Sequence, residues 1–239
     1  TYPGDRTVTY DYDGAGRAAG LVDWSGRETT FGWDANSNLV ATSLPNGVTA
    51  TTTVNPADEA TGISYAAGNT TLASWSYTRD VNGRLASADP GSLFPGDETY
   101  GYSPRGQLRS IDDVQLYTND AADNLVQRVI SFQGYNAANQ VTAQVSYGGG
   151  STTYQYDAYG NRTKTTPSSG PARVSTYDQA NRLTAVSGSV PASYEYNGDG
   201  LRTAKTVGAA TSEFTWDLSG SLPMMLSDGL NDYVYGPDG

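Results

Sequence analysis

With no histidine and no cysteine in 239 residues, chemistry in this chain would fall to carboxylates, tyrosines and arginines. The commonest general base and the nucleophilic thiol are both missing. Adjacent acids stand at Asp112–Asp113 and Asp97–Glu98, the residue types that glycoside hydrolysis needs in pairs. Neighbours on a strand point to opposite faces, so neither pair converges on a substrate by spacing alone. The stretches "DYDGAG" (Asp11–Gly16) and "YNGDG" (Tyr196–Gly200) offer oxygen ligands of the kind calcium takes. They lack the spacing and distal bidentate Glu of an EF-hand, and read better as turns. Arginine recurs just after the turn Gly or Asn, at Arg17, Arg84, Arg162, Arg182 and Arg202. Those side chains could form a ligand ladder, or more simply pair with turn carboxylates and stack on tyrosine faces. No catalytic residue, metal or cofactor is assigned.

The turn acids and the arginines among these belong to one recurring phrase. Its fullest copy is "YQYDAYGNR" (Tyr154–Arg162). A marker aromatic, or its counterpart, falls at Tyr12, Trp33, Val54, Arg79, Tyr102, Asn119, Tyr135, Tyr156, Tyr177, Tyr196, Trp216 and Tyr235. The spacing is mostly near twenty residues, the signature of a repeat architecture. The best aromatic pairs are Tyr10 with Tyr12, Phe31 with Trp33, Tyr100 with Tyr102, Tyr154 with Tyr156, Tyr194 with Tyr196, and Phe214 with Trp216. A spacing of two puts both rings on one face of a strand. Next comes Asp, Asn, Ser or Gly, and three residues later Gly, Asn, Asp or Ser. That is a type I turn signature. It is carried by Asp13 and Gly16, Asp34, Asp80 and Gly83, Asp120, Asp157 and Gly160, Asp178 and Asn181, Gly200, and Asp217 and Gly220. An apolar side chain then returns, as at Leu39, Leu85, Leu108, Leu125, Val141, Leu183 and Leu222.

One repeat is therefore a β-hairpin, and an isolated hairpin is marginal in water. Eleven or twelve in series predict an all-β protein. Tandem hairpins pair edge to edge into one long antiparallel sheet, which must twist and curl because very wide flat sheets are rare. Residues 1–239 read as a single array with no linker, and as a piece of a larger protein. The longest connections are expected within Asn55–Trp75 and Ser87–Glu98. The 18 tyrosines and 37% hydrophobic content predict semi-polar burial rather than an oily core. A net charge of −11 argues against a nucleic-acid partner. No apolar run reaches the length of a membrane span.

The Tyr-x-Tyr-Asp-x-x-Gly-Asn-Arg phrase, best seen at Tyr154–Thr165 and followed by "YDQANRLTAV" (Tyr177–Val186), resembles the YD repeats of the RHS-repeat family. That family includes bacterial Rhs and WapA-like polymorphic toxins, the C components of Tc toxins, and teneurins. The resemblance implies one long, curved, spiralling antiparallel sheet, here a segment of a hollow β-shell that encloses a toxic or other cargo domain of the same full-length protein, secreted or at the cell surface. It implies no catalysis by the wall itself. The family's closing Asp-Pro-x-Gly-Leu motif is not matched: "DPGSL" (Asp89–Leu93) has its glycine misplaced and reads as an ordinary turn. The alternative expectation is an extracellular carbohydrate-binding or adhesion module using the exposed sheet face and loops. Unpaired edges of such an array are also expected to self-associate.

Overall fold

The computed structural model describes residues 2–91 and 96–237. Ser92 and Leu93 of the "DPGSL" stretch, and Gly239 of the twelfth copy, lie outside the described residues. The described residues form twenty-four β-strands and no α-helix. Strands β1 (Thr9–Tyr12) to β11 (Val114–Gln115) form an eleven-stranded sheet in sequence order. A second eleven-stranded sheet runs from β12 (Tyr117–Asn119) to β22 (Ala210–Glu213), again in sequence order. β23 (Thr215–Asp217) and β24 (Met224–Ser227) pair with each other. Neighbours in sequence are neighbours in space, as short hairpin connections require. The chain divides into two compact units: residues up to Val114 together with those from Val234, and Gln115–Tyr233.

Side-chain size separates the two faces of the sheet around its longest strands. In β5 (Val48–Val54), β6 (Ala60–Ala67) and β7 (Thr70–Arg79), Thr52, Ile63 and Trp75 stand in one cross-strand row. Ala50, Tyr65 and Ala73 form the next row on that face. The opposite face carries Thr51, Ser64 and Ser74, then Thr53, Gly62 and Ser76. Large rings on one face and small hydroxyl residues on the other suit a sheet that does not bury both sides. Burial is correspondingly thin. Among the described residues the buried hydrophobics are Tyr2, Leu21, Val186 and Leu226. The accessible surface is 14831 Å², against about 10,000 Å² for a compact monomer of this mass.

The expected long connection within Asn55–Trp75 is a correction to the sequence reading. Its extra length goes into strand rather than loop: β6 and β7 pair from Gly62↔Ser76 to Ala67↔Thr70. A two-residue link, Gly68–Asn69, joins them, with Gly68 at φ 58°. The alternation of Ile63, Tyr65, Trp75 and Tyr77 feeds the aromatic face, so the longer hairpin keeps the period-two pattern.

Candidate functional site

The repeat's turn edge gathers acid, amide and guanidinium side chains into hydrogen-bonded sets. At Asp157 the backbone N–H donates to Asn161 O (3.0 Å), and Gly160 N donates back to Asp157 O (3.1 Å). Asp157 Oδ1 accepts from the N–H groups of Tyr159 (3.0 Å) and Asn161 (2.9 Å), and Oδ2 accepts from Asn161 Nδ2 (2.9 Å). Gly160 sits at φ 86°, and the ladder slips one residue between Gln155 and Tyr156. This is a type I turn closed by a left-handed residue and a bulge, a common three-residue hairpin loop. The same fourth-to-first backbone bond closes the turns headed by Asp13, Asp34, Asn55, Asp80, Ser103, Asp120, Asn136, Asp178 and Asn197. The left-handed position is Gly16, Gly83, Gly106 and Gly200 in four of them. It is Ser37, Asp58, Asp123, Asn139 and Asn181 in the other five. At Asp217 only part of the pattern appears. Its Oδ1 accepts Ser219 N (2.8 Å), and Gly220 lies outside the left-handed region.

The carboxylates at these turns have their lone pairs committed. Hydrogen bonds hold Asp34, Asp80, Asp120 and Asp157 below the usual carboxylate range. The largest contributions come from the side chains of Asn38, Arg84, Asn124 and Asn161 respectively. In Asp13 and Asp178 the backbone N–H of Arg17 or Arg182 contributes most to the same downward shift. Groups held ionised by several donors are poor general bases. The Asp13 and Asn197 turns, which include the two calcium-like stretches, spend their side-chain oxygens on backbone N–H groups in this way. Among the described residues no group of three or more potential metal ligands is gathered.

The adjacent acids are held by local hydrogen bonds. Asp112 and Asp113 form a two-residue link with both φ values positive (51° and 61°), the conformation of a type I′ hairpin turn. Asp112 Oδ1 accepts from Thr99 N (2.8 Å) and Thr99 Oγ1 (3.3 Å). Glu98 accepts the hydroxyl of Tyr100 at 2.6 Å. That bond, with burial second, pushes the phenol up to about 12.

Register divides the arginines into two groups. Arg17, Arg84 and Arg182 come one residue after the left-handed position and close on their own turn acid, with nitrogen–oxygen distances of 2.7, 2.6 and 2.7 Å. Each guanidinium also lies over a ring of the next hairpin: Trp33 at 5.5 Å, Tyr102 at 4.4 Å and Tyr196 at 5.2 Å. Arg162 and Arg202 come one residue later and lie over rings of their own hairpins. Arg162 is 4.4 Å from the Tyr154 ring, and Arg202 is 4.5 Å from that of Tyr194. The slot used by Arg17 also stitches turn to turn. Arg17 donates to Asp34 O and Ser37 Oγ (both 3.1 Å), and Asn38 to Asp58 Oδ1 (2.7 Å). Asn124 donates to Asn139 Oδ1 and Asn161 to Asn181 Oδ1 (both 2.9 Å), and Arg182 to Asn197 O (3.1 Å).

The marker aromatics form a second stitch. Tyr102, Tyr135, Tyr156, Tyr177 and Tyr196 donate their hydroxyls to the carbonyls of Leu85, Leu125, Val141, Arg162 and Leu183 at 2.8 to 3.2 Å. Trp33 and Trp216 donate their indole N–H groups to Ala18 and Arg202 in the same way (2.7 and 2.8 Å). Every acceptor stands opposite the marker of the preceding hairpin, at its bulge. A tyrosine suits this place because it buries a ring and still has a donor to spend. Tyr12, the first marker, is 64% exposed.

One functional turn escaped the sequence reading. Asp23–Gly26, in the link between the first two hairpins, repeats the same hydrogen bonds and pairs Asp23 with Arg27 at 2.7 Å. The signal was available in the Asp-x-x-Gly-Arg spacing of "DWSGR", but Val22 and Gly20 stand where the repeat has its aromatics, one and three residues before the acid.

Residues 135–172 match the family model described as RHS Repeat. No curated protein matches the chain in sequence. Among solved structures it is similar to a mutant form of the Photorhabdus luminescens Tc holotoxin pore, at 16% identity and a TM-score of 0.45. That match covers 88% of this chain and 14% of the other. It is also similar to TcdB2-TccC3 without its hypervariable C-terminal region, at 13% identity and a TM-score of 0.46, covering 91% of this chain and 16% of the other. A crystal structure of TcdB2-TccC3-Cdc42 gives 12% identity and a TM-score of 0.45, covering 92% of this chain and 19% of the other. The chain thus spans less than a fifth of the length of each.

Proposed function

We propose, from the premise that this chain is an RHS-repeat protein, that its 239 residues are a single stretch of shell wall enclosing a toxin or other cargo domain of the same full-length protein. The observation that carries this reading is the double stitch. Hairpins are joined by backbone ladders, by turn-to-turn side-chain bonds, and by marker aromatics donating to the preceding hairpin's bulge. Repeats tied at three levels resist local opening, and a paired sheet offers a protease little unpaired backbone. The role is containment rather than catalysis, because the carboxylates at the turns are spent on structure.

The full-length protein provides the test. Proteolysis should leave the cargo domain intact while the wall is folded, and degrade it after the ladder is weakened by Tyr156→Phe together with Tyr196→Phe. Cargo cleaved at the same rate in both proteins would refute containment. The charge of −11 favours a basic cargo, so cargo retention by the wall should weaken as salt rises; retention indifferent to salt would remove the electrostatic part. The full-length protein is proposed to act outside the cell or at its surface. Among the described residues no helix is long and apolar enough to cross a membrane.

Edge pairing is a further consequence of this reading. β1 and β22 each end the strand order of a sheet. Light scattering should therefore show concentration-dependent association through these edges, and a strictly monomeric sample would contradict it. A glycan-binding reading finds its best support in Tyr147 and Tyr159, which are 84% and 82% exposed and stand outside the marker ladder. Binding on a glycan array that disappears in Tyr147→Ala or Tyr159→Ala would favour it over containment.

A further inference from the structure

The marker ladder shows one chemistry repeatedly: an aromatic donor reaching a backbone carbonyl outside its own hairpin. Tyr10 uses the same chemistry on a segment outside the sheet. Its hydroxyl donates to Tyr235 O at 2.9 Å, across 225 positions of sequence. Gly236, next in the chain, lies against the ring of Phe31. A Cβ placed there would stand 3.5 Å from both Cε1 and Cζ of that ring. Val234–Gly236 belong to no strand, yet all three are half-buried. They group with the first unit.

We propose that the aromatic face of the first two hairpins is a docking surface for an extended peptide segment presenting a backbone carbonyl and a small residue, and that Val234–Pro237 of this chain is the segment it holds. The two anchors are the leading aromatics of successive hairpins, Tyr10 and Phe31. Between them stands Leu21, directly opposite Tyr10 and only 5% exposed. On the same face of the same strand, Tyr12 is 64% exposed. Cover is thus confined to the Tyr10 end of the strand. Burial, with a smaller contribution from Tyr12, raises the Tyr10 phenol above its ordinary range, which keeps it a neutral donor.

The recognition is of backbone rather than of a particular side chain. The phenol reads a carbonyl that any residue supplies. The Phe31 ring takes a glycine at this position and has room for a methyl group at ordinary contact distance. A β-branched residue would add atoms beyond that contact. This resembles other peptide-recognition modes in which main-chain bonds give affinity and small pockets give selectivity. The inference does not depend on containment of a cargo, and its test is separate.

Because the chain has no cysteine, Pro237→Cys carries a single spin label in the otherwise intact protein. Electron paramagnetic resonance then reads the ratio of immobilised to mobile label. The parent should show an immobilised component. Tyr10→Phe should lower the docked-to-free ratio by about fivefold, the equivalent of one net hydrogen bond. Phe31→Ala should abolish the immobilised component, while Tyr12→Phe leaves the ratio unchanged. An unlabelled peptide of residues 232–237 should displace the label once it exceeds the tethered segment's effective concentration, on the order of millimolar. No immobilised component in the parent, equal ratios in Tyr10→Phe and Tyr12→Phe, or indifference to excess peptide would each overturn the proposal.

Discussion

Tyr156→Phe deletes one oxygen and nothing else. The ring stays in place, with the Arg162 guanidinium 5.8 Å from its centroid. What disappears is the donor to Val141 O at 2.8 Å, the stitch between this hairpin and the one before it. A neutral hydrogen bond contributes about 1 kcal/mol net. Leaving a half-buried carbonyl short of that donor brings the expected cost to ~1–2 kcal/mol. Tyr12→Phe is the matched control, since that ring is 64% exposed, and it should stay within about 0.5 kcal/mol of the parent. Tyr196→Phe removes the equivalent donor to Leu183 O. The two losses lie in separate hairpins, so the double variant should sum within about 0.5 kcal/mol. Urea unfolding followed by far-ultraviolet circular dichroism reads all of this as a shift in midpoint at constant slope. Equal stability of Tyr156→Phe and Tyr12→Phe would refute the claim that marker hydroxyls hold hairpins together.

Three further outcomes follow from the turn geometry. Gly160→Ala forces an L side chain into φ 86° and should cost about 1–2 kcal/mol, whereas Gly14→Ala, with open space and no left-handed φ, should be neutral or stabilising by up to about 1 kcal/mol; thermal melts of the pair decide. Val129 is a β-branched residue at φ 51° in a two-residue link, the position where a II′ turn prefers glycine. Val129→Gly should raise stability by ~0.5–1 kcal/mol, and a loss on urea titration would contradict the assigned strain. The turn carboxylates of Asp13, Asp34, Asp80, Asp120, Asp157 and Asp178 titrate lower when folded than when unfolded. Their contribution is therefore complete above the unfolded value near ~4 and is lost as pH falls through the folded values. Melting temperature should be insensitive to these groups between neutral pH and about 5 and should fall below about 4. Persistence of full stability well below that point would show that the turns do not need charged heads.

Much of this architecture is legible in the sequence because hairpin repeats write their geometry locally. The Asp157–Gly160 turn is stated by four adjacent residues, and the ring pair of Tyr154 and Tyr156 is stated by a spacing of two. Long-range information was not needed, since within each sheet every strand pairs with its neighbours in the chain. The same logic explains why Asn, Asp or Ser replaces Gly at the left-handed position in Ser37, Asp58 and Asn181. Asn and Asp visit that region at modest cost, though Ser is less common there.

What the sequence hides is parity. The arginines of Arg17 and Arg162 look alike in a list of residues following the turn, yet one position separates them. At a bulge, one position changes which neighbour a side chain meets. Arg17 therefore closes on Asp13 and leans on the next hairpin's Trp33, whereas Arg162 stands opposite Tyr156 and lies over its own pair of rings. The first kind ties repeats together, while the second stiffens one repeat. The lateral bonds of the marker hydroxyls are hidden for a related reason: their acceptors are backbone carbonyls, which every residue carries and no sequence distinguishes. A repeat protein thus advertises its hairpins through side-chain identity, while the forces joining one hairpin to the next act on atoms common to all residues. Substitution at Leu85, Leu125 or Val141 can change the packing of a return strand and still preserve the carbonyl that the following tyrosine needs. That physical independence lets the copies drift in sequence while the stitch between them is retained.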